Sequence, residues 1–214
     1  NKISLIPTLL RKEFYLSKMK KDINKKINWL IIGGSQGAKL FDTVIGESII
    51  NLSKKYKLKI FHQTSLKNYD NLSNFYLCNN IENELFDFSE DIFSFMNKSN
   101  ISISRAGAST LAELIYLEIP HIAIPLPSAK DNHQFENAFF YDQLGCNWIL
   151  NQNEISSKKL TDKLVNIIEN KEEYLIKKKN MESFNYQNTW NNINQKIKKI
   201  INENWISKNW SYTL

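Results

Sequence analysis

Residues Ile27–Ala38 read INWLIIGGSQGA. A short, nearly continuous apolar run stops at paired glycines, and helical spacing follows from Lys39 to Ser53. Strands buried on both faces have this composition, and the shortness of the run favours strand over helix. The same order recurs downstream. Strands are expected at Lys57–Thr64, more weakly at Asn74–Asn79, then at Ile101–Ser104, His121–Pro125 and Cys146–Leu150. Helical spacing marks Asp87–Asn97 (through Phe88, Ile92, Phe95 and Met96), Ala108–Leu117, and Asn132–Leu144 closed by Gly145. From Ser156 onward every segment reads as helix: Ser156–Asn170, Glu172–Phe184 and Thr189–Trp205. Strands alternating with helices predict an α/β fold: a Rossmann-like parallel sheet flanked by helices, with right-handed crossovers. Such a sheet binds its ligand at the carboxyl ends of the strands.

The expected organisation is a sheet domain over 27–170, C-terminal helices and tail over 171–214, and a connector over 1–26. Asn1 opens the chain without a start methionine or the apolar core of a signal peptide, so residues 1–26 read as the end of something longer. The tail WISKNWSYTL (Trp205–Leu214) reads as a segment beyond the last helix, with Trp205, Trp210 and Tyr212 able to pack back or to sit at an interface.

Composition excludes several classes. The 214 residues are 42% hydrophobic and 23% charged, the balance of an ordinary globular chain. Six glycines and four prolines exclude collagen, and no apolar stretch is long enough to cross a bilayer. Cys78 and Cys146 are too few for a disulfide framework. Charge is uneven: residues 1–30 carry a net +6, residues 31–157 a net −5 and residues 158–214 a net +5. Solvated Lys-rich helix faces account for this, with an anionic membrane surface as the alternative partner. Nucleic acid is disfavoured, because the basic residues lie outside the sheet pattern and aromatics do not interleave with them.

Three segments fall at the carboxyl edge. In GGSQGA, Gly33, Gly34 and Gly37 allow a tight turn and close approach, and Ser35, Gln36 and the loop amides open a helix whose N-terminus favours anions. The segment is either a phosphate site or only a tight turn. It is neither GxGxxG nor a P-loop, and the second strand ends in His62, Gln63 and Thr64, without the acid that a nicotinamide cofactor's ribose requires. In SRAGASTLAE (Ser104–Glu113), a glycine turn opens a second helix at Ala108, Ser109 and Thr110. Glu113 is placed either to accept from vicinal hydroxyls or to complement the helix dipole. In PLPSAKDNHQFENA (Pro125–Ala138), Asp131 or Asn132 is expected to cap a helix. His133, Gln134 and Asn137 project from its first turns; the amides suit sugar hydroxyls, and His133 is either a contact or a solvated ring. His62, His121 and His133 form no metal spacing with the cysteines, and there is no GxSxG elbow.

These three segments, in this order and with HQ closing the second strand, resemble the donor-binding half of the MurG-type N-acetylglucosaminyltransferases, glycosyltransferase family 28. The resemblance covers Arg11 to Asn204. It implies one half of a GT-B enzyme that transfers N-acetylglucosamine from UDP-N-acetylglucosamine to lipid I, giving lipid II in peptidoglycan synthesis, with no cofactor or metal. It implies diphosphate contacts at Gly34, Ser35, Gln36 and Gly37, and phosphate and ribose contacts along Ala108, Ser109, Thr110, Leu111 and Glu113. It further implies a uracil contact at Ser89, sugar contacts at Gln134 and Asn137, a position for His133 where some relatives carry glutamine, and a donor-side arginine at Arg11, here in IPTLLR. The acceptor site and the catalytic base are expected in an N-terminal domain that the chain lacks, and the enzyme at the cytoplasmic face of the bacterial inner membrane. A donor subunit of a split transferase and a non-catalytic UDP-sugar-binding module are the alternatives.

Overall fold

The computed structural model describes residues 8–16, 26–33, 41–87, 91–185 and 190–209. Its centre is a sheet of six parallel strands: β1 (Ile27–Ile32), β2 (Leu58–Gln63), β3 (Glu82–Phe86), β4 (Ile101–Ser104), β5 (His121–Ala123) and β6 (Trp148–Ile149), ordered β3-β2-β1-β4-β5-β6. The helices are α1 (Lys12–Leu16), α2 (Gly46–Ser53), α3 (Tyr69–Cys78), α4 (Ile92–Lys98), α5 (Ala108–Tyr116), α6 (His133–Gln143), α7 (Ser157–Glu169), α8 (Lys171–Asn185) and α9 (Trp190–Asn209). One wide π-helical turn, Phe41–Ile45, leads into α2.

β1 shows why the apolar run is a strand. Its side chains alternate between two cores. Ile27, Trp29 and Ile31 pack with Ile45, Ile49, Leu72, Tyr76, Leu160 and Leu164 from the helices of one layer. Leu30 and Ile32 pack with Phe14, Met96, Ala112 and Leu114 from the other. Both faces are covered, so neither can be polar. Complete burial of such a side chain contributes about 1.5–3 kcal/mol, and β1 spends five of its six positions this way.

A third cluster lies where α5, α6 and α8 meet, built on Leu111, Ile115, Ala138, Tyr141, Cys146 and Met181. α8 is fastened to the sheet layer by polar contacts too. Tyr174 donates to the Asn100 carbonyl at 2.8 Å, and Lys177 donates to that of Asn147 at 2.7 Å. Gly145 ends the turn after α6 at φ +68°, as its C′ position requires. A Cβ there would also lie 2.5 Å from Asn180 Nδ2.

The sequence reading misplaces one strand. Asn74–Cys78 belongs to α3, with Asn79 as its C-cap, and the third strand is Glu82–Phe86. Leu72 and Tyr76 are the buried residues of α3, spaced four apart on one helical stripe. β3 is an edge strand. Its Glu82 and Glu84 face Lys59 at 3.3 and 3.7 Å, and Glu82 also pairs with Lys26. Charges that guard an edge dilute the apolar signal. Other ends shift too: β5 stops at Ala123, before the prolines, β6 is confined to Trp148–Ile149, and α9 runs on to Asn209, past Trp205. Trp210 and Tyr212 lie outside the described residues.

Candidate functional site

From β1 the chain builds outward to β2 and β3, then returns across the sheet to place β4 on the other side of β1. The carboxyl ends of β1 and β4 flank this reversal, where open parallel sheets form their ligand crevice. Register pairs Ile32 with Ser104, and the Arg105 N–H donates to the Ile32 carbonyl at 3.0 Å. The segments singled out in the sequence begin after β1, β4 and β5, and the carboxyl ends of these strands share this edge.

The turn after β4 builds a bare helix N-terminus. Gly107 is the extended N-cap residue of α5 and has no side chain to cap with. The first bond of the helix runs from Leu111 N–H to the Gly107 carbonyl at 3.0 Å. The N–H groups of Ala108, Ser109 and Thr110 precede it and point out of the helix end, and Ala108 and Ser109 are exposed. Leu111 is different: its side chain is wholly buried in the third cluster and its N–H is spent on Gly107. Its service to this edge is to seat α5.

Glu113 lies one turn further in, its side chain 10% exposed. Arg11 Nε donates to Glu113 Oε1 at 3.3 Å, sits 3.5 Å from Glu13 Oε1, and lies over the Phe14 ring at 5.2 Å. Burial pushes the Glu113 carboxyl above its ordinary pKa, and Arg11 pulls it part of the way back. The structure therefore brings Arg11 and Glu113 together.

The loop after β5 is tied to α6, and α6 to the turn after β4. Gln134 Oε1 accepts from the Leu126 N–H at 3.0 Å, and Asn137 Nδ2 donates to the Ala106 carbonyl at 3.1 Å. Each tether uses one of the two polar atoms of its amide. The expected cap at Asp131 or Asn132 does not form. Both residues are left-handed, at φ 52° and 54°, and no side chain caps α6. The turn is closed instead by His133, whose Nδ1 lies 2.6 Å from the Lys130 carbonyl while the residue stays exposed.

Gly34, Ser35, Gln36 and Gly37, and likewise Ser89, lie outside the described residues. The flanks of the glycine segment are described. A Cβ on Gly33 would meet Phe41 at 3.2 Å, a close approach that favours glycine. Beyond Phe41, Asp42 accepts from Asn68 Nδ2 at 2.7 Å and from Thr64 Oγ1 at 3.3 Å, with His62 Nε2 at 3.5 Å. His62 Nδ1 is 2.8 Å from the Tyr76 hydroxyl. Burial holds His62 neutral, its pKa pushed down to about 3, and raises the Asp42 carboxyl. A carboxylate thus reaches the end of β2 from another element, but it is spent on Thr64 and Asn68. A hollow of about 460 Å³ beside it is lined by Asp42, Thr43, Glu47, Asn68, Asn71, Leu72 and Phe75, and among the described residues none of the predicted contacts lines it.

Arg105 is the residue that the sequence reading quoted without assigning a role. It is 8% exposed, donates from Nη1 to the Ile124 carbonyl at 3.2 Å and, more distantly, that of Pro125 at 3.5 Å, and stacks 4.9 Å over the Phe41 ring. It therefore touches the flank of the glycine segment, the turn after β4 and the loop after β5. The signal available in sequence was a permanent charge set between a strand and a glycine turn at the ligand edge. Among the described residues no group of His, Cys, Asp or Glu is arranged to hold a metal ion.

Comparison with known proteins bears on this edge. The model of the glycosyltransferase family 28 C-terminal domain matches residues 28–201. The UDP-N-acetylglucosamine--N-acetylmuramyl-(pentapeptide) pyrophosphoryl-undecaprenol N-acetylglucosamine transferase of Pelagibacter ubique is 60% identical over 207 residues, which is 95% of this chain and 57% of the relative. The protein of the same name from Rickettsia bellii is 42% identical over 156 residues, 72% of this chain and 44% of the relative. The chain thus spans about half the length of the curated relatives it matches. The crystal structure of Acinetobacter baumannii MurG superposes with a TM-score of 0.64 at 26% identity, covering 81% of this chain and 49% of that one.

Proposed function

The chain belongs to the glycosyltransferase family 28 C-terminal domain family, and on that premise we propose that it is the donor-binding half of an inverting N-acetylglucosaminyltransferase. The donor is UDP-N-acetylglucosamine. The acceptor is undecaprenyl-diphosphate-linked N-acetylmuramoyl-pentapeptide, so the step is lipid I to lipid II in peptidoglycan synthesis. The observation that carries this reading is the convergence, at one edge of the sheet, of the uncapped α5 N-terminus, the buried Glu113 carboxylate and the α6 amides.

Each part has a chemical task. The α5 N–H groups and the GGSQGA segment hold the diphosphate, and Glu113 accepts from the ribose hydroxyls. Ser89 contacts the uracil, and Gln134 and Asn137 read the sugar, with His133 beside them. In the reaction an acceptor hydroxyl attacks the anomeric carbon, the bond from that carbon to the diphosphate oxygen breaks, and UDP leaves with the electron pair. The donor half contributes by stabilising the charge that grows on the leaving diphosphate. The base that takes the hydroxyl proton, and the acceptor site itself, belong to an N-terminal acceptor domain. No helix of the described residues is long and apolar enough to cross a membrane, and we place the enzyme peripherally at the cytoplasmic face of the inner membrane, where its lipid-linked acceptor lies.

Calorimetry on the 214-residue chain tests the reading. It should bind UDP and UDP-N-acetylglucosamine and leave NAD unbound; NAD binding as tight as UDP would overturn it.

A further inference from the structure

We propose that the hollow between α2 and α3 is a second binding site, separate from the crevice at the ends of β1 and β4, and that it takes a small aliphatic diamine. The proposal is independent of the UDP-sugar reading above.

At about 460 Å³ the hollow has the volume of a small-molecule site. Its charges are of one sign: Asp42 and Glu47 line it, and none of its lining residues is cationic. The two acids stand at different depths. The Asp42 side chain is 9% exposed, whereas Glu47 is exposed. Asp42 accepts from Asn68 Nδ2 and Thr64 Oγ1, but both donors are neutral. His62 does not supply the missing charge. It is wholly buried and held neutral, and its Nε2, 3.5 Å from Asp42 Oδ1, has no hydrogen-bond partner among the described residues. An orphaned polar atom is thus aimed at the inner wall of the hollow, behind a carboxylate that has no counter-charge among the described residues. Such a charge is costly to bury, and a cationic guest relieves that cost.

The backbone is unusual at the same place. Asp42 and Thr43 sit on the π-helical turn Phe41–Ile45, and such turns are rare and frequent at functional sites. Gly46 follows it. A Cβ there would lie 3.0 Å from Phe75 Cε1, so glycine lets Phe75 close against α2. Buried Leu72 and half-buried Phe75 give the hollow an apolar wall, and Asn68 and Asn71 add amide oxygens that accept from an ammonium. A diamine matches this layout. One ammonium pairs with Asp42 where water is scarce, the methylene chain covers Leu72 and Phe75, and the second ammonium meets Glu47 at the rim. A bare metal ion matches it less well, since it leaves the apolar wall uncovered and the described residues hold no group arranged to ligate one.

The competing account is that the hollow is only a gap between two helices with solvated acids at its rim. A gap treats guests by their apolar area, whereas a site discriminates by charge and by charge count. Calorimetry therefore measures putrescine, n-butylammonium and n-butanol on the 214-residue chain, on D42N and E47Q, and on E172Q, which removes an exposed acid on α8 as a control for general charge. Affinity should fall in the order putrescine, n-butylammonium, n-butanol. D42N should weaken both amines about tenfold. E47Q should bring putrescine down toward n-butylammonium while moving n-butylammonium by no more than about twofold. E172Q should move neither. Butanol binding as tightly as the amines, equal losses in E47Q and E172Q, or no saturable binding of putrescine below about 10 mM would overturn the proposal. UDP affinity should be the same in E47Q as in wild type; a parallel loss would place the hollow in the donor site and end its standing as a separate one. Should D42N fail to fold by circular dichroism, E47Q decides, because its side chain is exposed and glutamine keeps its shape.

Discussion

Arg11 Nε donates to Glu113 Oε1 at 3.3 Å, across 102 residues of chain. The segment before the sheet thereby reaches the carboxylate proposed to hold the ribose. It does so from a packed base, since Phe14 on α1 is wholly buried against Leu30, Ile32 and Met96.

That contact makes the role of Glu113 testable in two ways. Glu113→Ala should weaken UDP by about 1–3 kcal/mol, because it removes a charged acceptor. Arg11→Gln should leave the carboxylate in place and raise its pKa further, since burial already raises it and Arg11 opposes burial. Binding by Arg11→Gln should then fall between pH 7.5 and pH 5.5 more steeply than in wild type, as the acceptor takes up a proton. Calorimetry at both pH values checks this. Unchanged UDP affinity in a folded Glu113→Ala chain would leave Glu113 as a dipole-complementing residue only.

Two buried imidazoles set a pH dependence of stability. Burial pushes His62 down to about 3 and His121 down to about 4 from the ordinary 6.5. Both stay neutral in the fold while the unfolded chain takes up protons, so the stability they contribute is present above about pH 6.5 and is lost as pH falls toward 4 and then 3. Each can contribute at most about 1.4 kcal/mol per pH unit. Asp42 and Glu113, raised by burial, act in the opposite sense just above the carboxylate range and soften the slope. Urea midpoints at pH 7, 6 and 5 should fall in that order, and His62→Gln should flatten the trend. A profile that is flat or rises toward pH 5 would contradict this account.

The parts of the fold legible in sequence were those where one local rule acts alone. INWLII is buried on both faces, and Gly145 stands at positive φ after a helical run, so each announces itself. β3 did not, because an edge strand carries the charges that protect it. At the site, residue types pointed to the α5 turn and the α6 amides, and the sheet order brings those segments together. Their tethers were invisible: Gln134 to Leu126, Asn137 to Ala106 and Arg11 to Glu113 depend on loop geometry that no spacing encodes. The contacts of Arg105 with the Ile124 carbonyl and the Phe41 ring were hidden in the same way.

Sugar selectivity is expected at Gln134 and Asn137. Each spends one of its two polar amide atoms on the fold, and the sugar contact proposed above falls to the other, so alanine at either position should cost UDP-N-acetylglucosamine affinity by more than UDP affinity. A stability loss of about 1 kcal/mol from the broken tether should accompany it. Paired titrations with the two ligands, with unfolding curves alongside, separate the effects. Equal loss for both ligands would assign the two amides to loop support alone.

The last expectation concerns turnover. The 214-residue chain should transfer no sugar to a lipid I analogue, however well it binds the donor. Inverting transfer needs an acceptor hydroxyl held in line with the anomeric carbon and a base to take its proton, and proper orientation accounts for about 7–11 kcal/mol of barrier. The histidines of this chain are unsuited to the second task. His62 and His121 are buried and held neutral within the fold, and His133 is exposed with its Nδ1 turned to the Lys130 carbonyl. Supplying the N-terminal acceptor domain of a relative, fused or in trans, should restore transfer in proportion to how well the two parts dock. A radiolabelled donor assay with and without that domain is the measurement. Sustained transfer by the chain alone would place a base among its own residues, and His133→Ala would show whether the exposed imidazole is that base.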